Sequence, residues 1–175
     1  MTPDLADHPI PPDPRWPRYQ PATPFPPYRY VPGRSPHPRR HPHGHLFGKP
    51  EPHVPPFEPD DWATNAVYLH GVDLYNFAYW WECHEVLEGL WNTAGRASEP
   101  GQFLQAIIQA AAGHLKAFVG HEAGSRRLWG EARRRLAPAR DRYMGVDVRA
   151  FERALERHAA DPGGEFPLLR LDVAS

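Results

Sequence analysis

The sequence predicts an all-α protein, with about five helices forming two antiparallel helical hairpins plus a C-terminal helix, behind an extended Pro-rich arm. Three observations carry this. Proline is segregated, with 19 of the 23 prolines and 6 of the 11 histidines in residues 1–59. Beyond residue 59 the apolar residues recur at helical spacing, with no sustained period-two alternation and no Asn-Gly or Asp-Gly hairpin turn. The breaks between apolar stretches fall at capping residues and glycines. The chain therefore divides into an arm (1–59), a helical domain (60–160) and a C-terminal tail (161–175), with the tail starting at Asp161-Pro162-Gly163-Gly164.

Proline fixes φ and lacks an N–H, so the arm is expected to be extended, polyproline-like and without a core of its own. Its first 20 residues show no periodic apolar pattern, and the helical domain is expected to fold without them. Residues 25–48 differ. Tyr28, Tyr30, Val31, Leu46 and Phe47 are more apolar than a solvated linker requires, so this stretch should pack on the helices.

The first helix is expected from about Asp61 to Asn76, and the second from about Tyr79 to Ala94, stopping near Gly95. Ser98 caps a third helix that carries Pro100 in its first turn and ends near Gly120. The fourth should run from Glu122 toward Tyr143 with a break at Pro138, and Gly145 is a plausible C-cap. Asp147 then caps the fifth. At ~100° per residue, Leu104, Ile107, Ile108, Ala111, Leu115 and Phe118 cover one arc of the third helix, and Ala106, Ala110, Gly113 and Ala117 a second arc of small residues. A helix apolar over most of its circumference should be central, and the small arc should admit a close neighbour. His114 lies on the apolar arc and reads as a core histidine.

An internal echo at an offset of 42 residues supports the paired hairpins. Asn76-Phe77-Ala78-Tyr79 precedes Cys83, and Phe118-Val119-Gly120-His121 precedes Ser125. Each reads as a tight turn between antiparallel helices, an arrangement resembling tetratricopeptide pairing.

Bulk properties exclude several classes. Net charge is −1 and pI about 6.8, which gives no electrostatic pull toward nucleic acid or anionic lipid. No run approaches the ~20 apolar residues of a membrane span. The N-terminus lacks a basic region followed by an apolar one, so no secretory leader is expected. The single cysteine, Cys83, allows no intrachain disulfide, and together these features suit the cytoplasm. Cys83 sits on an apolar arc and reads as core filler rather than a nucleophile.

Chemistry concentrates on the second helix. His84 and Glu88 are four residues apart, so their side chains stack at the border of the buried face, flanked by Trp81 and Trp91. Glu82 and Glu85 are expected to point toward solvent. An imidazole and a carboxylate so placed offer two ligands to a divalent metal ion, the cofactor this pattern would take. Equally, they can form a structural hydrogen bond at a helix seam. His-Glu-x-x-Glu is not the zincin pattern, because Glu88 stands where that motif has its second histidine. Further ligand-binding candidates are Gln105 and Gln109 from the third helix, Trp91, and Asn76 at the turn before the second helix. In the arm, His37, His41, His43 and His45 crowd into nine residues, a composition that can bind transition metals.

Asn76, then Trp80-Trp81-Glu82-x-His84-Glu85-Val86-Leu87-Glu88-x-x-Trp91, followed by Phe103-Leu104-Gln105-x-x-Ile108-Gln109, resembles the bacterial and archaeal domain-of-unknown-function family 309 over about residues 65 to 140. That family is marked by a His-x-x-x-Glu-x-x-Trp/Tyr motif. The resemblance implies a helical fold and places the functional positions at His84, Glu88 and Trp91, with metal binding as the suggested role and no established activity. The chain departs from it at Ala78, where glycine is expected, and at Cys83, where alanine is expected. The arm's order of Pro32-Gly33, Pro36-His37-Pro38 and Gly44-His45 also resembles that of relatives, which singles out His37 and His45 over His41 and His43.

Two functions fit this reading. One is a helical domain binding a small ligand or divalent metal at His84 and Glu88, with metal-dependent hydrolysis as its catalytic form. The other is a non-enzymatic module that presents a groove to a protein, with the His–Glu pair structural.

Overall fold

A computed structural model describes residues 7–173. Its α-helices are α1 (Ala66–Asn76), α2 (Trp80–Ala94), α3 (Glu99–Phe118), α4 (Glu122–Leu136) and α5 (Val148–Ala160). A 3-10 turn, Pro59–Thr64, precedes α1, and a two-stranded ribbon, β1 (Arg142–Tyr143) and β2 (Val146–Asp147), precedes α5. Each α-helix packs on the next along the chain, and α3 lies between α2 and α4. Among the described residues, the regular secondary structure is therefore helical apart from the small ribbon.

The caps are local and match their sequence signals. Ser98 Oγ accepts from Gly101 N at 3.1 Å, and Asp147 Oδ1 accepts from Ala150 N at 2.9 Å. At α1 the boundary differs from expectation. Asn65 Oδ1 accepts from Tyr68 N, so the α-helix starts at Ala66, and the stretch from Pro59 winds more tightly.

Both hairpins close with one motif. After α1, Tyr79 N donates to Leu74 O and Ala78 N to Tyr75 O, with Ala78 at φ +64°. After α3, His121 N donates to Lys116 O and Gly120 N to Ala117 O, with Gly120 at φ +85°. This is the Schellman arrangement twice, 42 residues apart. The small residues that follow, Cys83 and Ser125, are both buried.

The core centres on α3, where Leu104, Ile107, Ala106, Ala110 and Ala111 are fully enclosed. Its small-residue arc receives α4. A methyl group added at Gly113 would meet Trp129 Nε1 at 2.5 Å, so the indole lies directly on the glycine backbone.

α4 ends at Leu136, just ahead of Pro138, rather than continuing toward Tyr143. Gly145 is not a helix cap. With Met144 at φ +44° and Gly145 at +79°, the two residues form the turn of the β1–β2 ribbon, a primed geometry that matches strand twist. The sequence lacks an Asn-Gly turn here. Tertiary contacts hold the unusual Met144 instead: Tyr68 Oη donates to Met144 O at 2.8 Å, and Asp172 N donates to Gly145 O at 2.8 Å.

The arm is not an independent appendage. Arg18 Nε, Tyr19 N and Gln20 N all approach the carboxylate of Asp73, which is completely buried in α1. Trp16 and Tyr19 pack against the core. Residues 16–20 thus contact the helical domain although they carry no periodic apolar pattern; residues 1–6 lie outside the described residues. Farther along, Phe25 stacks on Tyr79, Tyr30 meets Trp81 edge-on, and Val31 is fully enclosed, so this stretch packs on the helices as expected, except that Phe47 is exposed. Beyond α5, the tail likewise joins the core through Leu169 and Leu171.

Candidate metal and ligand site

α2 presents two faces. Trp80, Cys83, Leu87 and Leu90 point inward and are buried. The Cys83 thiol, enclosed beside Glu82, is held far above its ordinary pKa by desolvation and then by that carboxylate, which fits a packing role. On the outer face, His84 Nε2 lies 3.0 Å from Glu88 Oε1. The two side chains are 32% and 40% exposed, so the pair is open to solvent rather than sealed in a seam.

A third donor joins them. One ligand atom each from His84, Glu85 and Glu88 lies within 4.8 Å of the others. Glu85 was not among the site residues expected from sequence. The available signal was its spacing, since residues 85 and 88 are i,i+3 neighbours on one helix face. Its second partner is not local: Arg39 Nε of the arm donates to Glu85 Oε2 at 2.8 Å. Trp81 stands beside this group, with its ring centroid 6.4 Å from His84, 5.4 Å from His37 and 5.3 Å from Tyr30. A cleft of about 370 Å³ opens next to the carboxylates, walled by Arg39, Glu85, Glu88, Val54, Val67 and Val86.

Other candidates go elsewhere. Gln109 turns toward α4, where its amide donates to Glu131 Oε2 at 3.1 Å and its carbonyl accepts from Arg135 Nε at 2.9 Å. Gln105 is half-buried on α3, and no hydrogen bond joins it to His84 or Glu88. Asn76 is completely buried and forms two 2.8 Å hydrogen bonds to the backbone of Leu169, so it pins the tail. Trp91 is covered by Arg96, whose guanidinium carbon lies 4.6 Å from the ring centroid. His37 Nδ1 accepts from Arg39 N and Arg40 N, which orders the arm turn bearing Arg39. Burial and then the Arg40 charge hold the His37 imidazole below its usual pKa. His114 is a core residue, as read, with Nε2 2.8 Å from Tyr75 Oη.

Glu82 departs most from expectation. It is 3% exposed rather than solvated, because the arm lies over it, and Tyr30 N donates to its Oε1 at 2.8 Å. His45 Nε2 lies 3.8 Å from the same oxygen. His45 thus reaches α2 at Glu82, two residues before His84, and contributes no atom to the His84–Glu85–Glu88 group.

The family model described as a domain of unknown function, DUF309, matches residues 68–128. The likeness to that family is confined to these residues, about a third of the chain. The matched segment runs from α1 into α4 and holds His84, Glu85 and Glu88, while the arm that supplies Arg39 lies outside it. No curated protein matches the chain. No helix among the described residues is long and apolar enough to cross a membrane.

Proposed function

We propose that this protein binds a divalent metal ion through His84, Glu85 and Glu88 and admits a small ligand from the adjoining cleft. The observation that carries the reading is the convergence of three ligand atoms within 4.8 Å on one half-exposed helix face. One imidazole nitrogen and two carboxylate oxygens suit a borderline ion of the manganese-to-zinc series. Three protein donors leave positions for water or ligand, the pattern of a reactive site rather than a closed structural one. When bound, the ion would supply Lewis acidity and a more acidic water. Arg39 holds one Glu85 oxygen, which orients the carboxylate from outside the donor set. Trp81 stands edge-on beside the His84 ring.

The exposure of the His84–Glu88 pair argues against a purely structural role, since an exposed i,i+4 pair contributes only about 0.3–0.5 kcal/mol. Among the described residues, the large exposed hydrophobics Ile10, Phe47 and Val173 lie in the arm and tail rather than on the helices.

The test is elemental analysis of untagged protein. Wild type should carry stoichiometric metal, and so should a His41→Ala/His43→Ala double variant, which removes exposed arm histidines. His84→Ala and Glu88→Gln should lose the metal, and Glu88→Gln should cost less than about 0.5 kcal/mol of stability. Metal-free wild type, or unchanged uptake by Glu88→Gln, would refute the proposal.

A further inference from the structure

A second cavity, of about 530 Å³, lies under the arm on the other side of Glu85. Phe25, Leu74, Trp81 and Val86 give it apolar and aromatic walls. Three of its lining residues, His45, His70 and Glu82, each carry a buried polar atom with no hydrogen-bond partner in the protein: His45 Nε2, His70 Nδ1 and Glu82 Oε2. The Glu82 side chain is 97% enclosed and the His45 side chain 90% enclosed. Leaving such groups unsatisfied is costly, because each has given up its water without gaining a partner. All three residues line the same cavity, which places their unused polar atoms beside one space.

The chemistry of the three atoms defines the occupant. Glu82 is an acceptor. Burial, followed by the Arg18 charge, holds the His70 imidazole below its usual pKa, so at pH 7 it is neutral and one ring nitrogen accepts. The lining's cationic side chain, Lys49, is exposed. A ligand for this site brings N–H donors and positive charge. It is not a bare metal ion. Among the described residues, the His84–Glu85–Glu88 group is the one whose ligand atoms converge within 4.8 Å, and His45, His70 and Glu82 do not form such a group. Their separation calls for donors spread over several ångström, on a body that packs against Trp81 and Leu74. We infer that this cavity binds a small organic cation with spaced N–H donors, of the alkylguanidinium or diamine class, anchored by Glu82 between His45 and His70. The inference does not depend on metal at His84.

Calorimetric titration of the full chain with propylguanidinium and with 1,4-diaminobutane tests it, with butyrate as the anionic control and zinc chloride as the metal control. At least one cation should bind at one per chain and butyrate should not. Glu82→Gln keeps an oxygen for Tyr30 N while removing the charge, and should weaken binding about tenfold or more. His70→Phe keeps a ring against Phe25, removes the acceptor, and should also weaken binding even if Glu82→Gln folds poorly. Binding by neither cation, affinity unchanged in both variants, or a zinc ion competing for the same site would overturn the assignment. Persistence of cation binding in His84→Ala would keep this result separate from the metal proposal.

Discussion

Ala78 and Gly120 occupy the same left-handed position in two copies of one turn, yet their surroundings differ. Ala78 is fully buried, so its methyl group contributes packing that offsets strain. Gly120 is exposed, and a methyl group added there would meet nothing within 4 Å. Gly120→Ala should therefore report backbone strain alone, costing about 1 kcal/mol in urea unfolding. A neutral result would show that the turn relaxes. The echo that exposed this turn lies in small local residues, which is why it is legible in the sequence. Glu85 was legible only in part. Its i,i+3 spacing to Glu88 is visible, but its pairing with Arg39 spans 46 positions and leaves no periodic trace.

At the scale of elements, α3 behaves as its composition requires. Ile108 is 8% exposed and packs within the core. Ile108→Ala should cost about 2–5 kcal/mol, and a loss below about 1 kcal/mol would make α3 peripheral. The arm segment around residues 16–20 carries a prediction that composition alone would reverse. Asp73 is completely buried, and its partners are Arg18 and the backbone N–H groups of Tyr19 and Gln20. Deleting residues 1–20 strands that carboxylate, so the loss should be about 3–5 kcal/mol, measured by denaturant unfolding of the truncated chain. Truncated protein as stable as the full chain would show that water replaces the arm at no cost. The Pro-rich composition conceals this anchor, because an extended strap makes its contacts through single residues and backbone amides rather than through a repeating face.

Across the whole molecule, stability is tied to pH through the histidines enclosed between α3, α4, α5 and the tail. His114 is 2% exposed and His158 6%, with Trp80, Trp129 and Phe166 around them. Tyr75 Oη donates to Pro167 O, so His114 Nε2 carries the hydrogen toward Tyr75, and its Nδ1 has no partner to receive a proton's charge. Desolvation, and then His158, hold the His114 pKa well below its usual value, and burial lowers that of His158. The unfolded chain, titrating near pH 6.5, therefore binds protons that the folded chain refuses. Stability should be complete above about pH 6.5 and fall as pH drops below it, by at most about 1.4 kcal/mol per pH unit for each histidine. Thermal midpoints between pH 7.5 and 5 check this. His114→Gln, which retains a donor for Tyr75, should flatten the slope, and an unchanged slope would remove His114 as its cause.

What the sequence determined by itself is the set of features that depend on neighbours within a few residues. These are the helical class, the Ser98 and Asp147 caps, the break at Pro138, the paired turns and the His84–Glu88 stack. Each follows from 3.6-residue periodicity or from one side chain meeting the nearest backbone, and neither requires knowledge of the fold. What only the tertiary structure decided is which surface the arm and tail cover. That choice turned Glu82 from a solvated residue into a buried one, drew Asn76 to Leu169 and Gln109 to α4, and brought Arg39 to Glu85. Such contacts join residues tens of positions apart. Their formation depends on the apolar area the covering segment buries and on the polar groups it satisfies, quantities that no local pattern in the chain encodes.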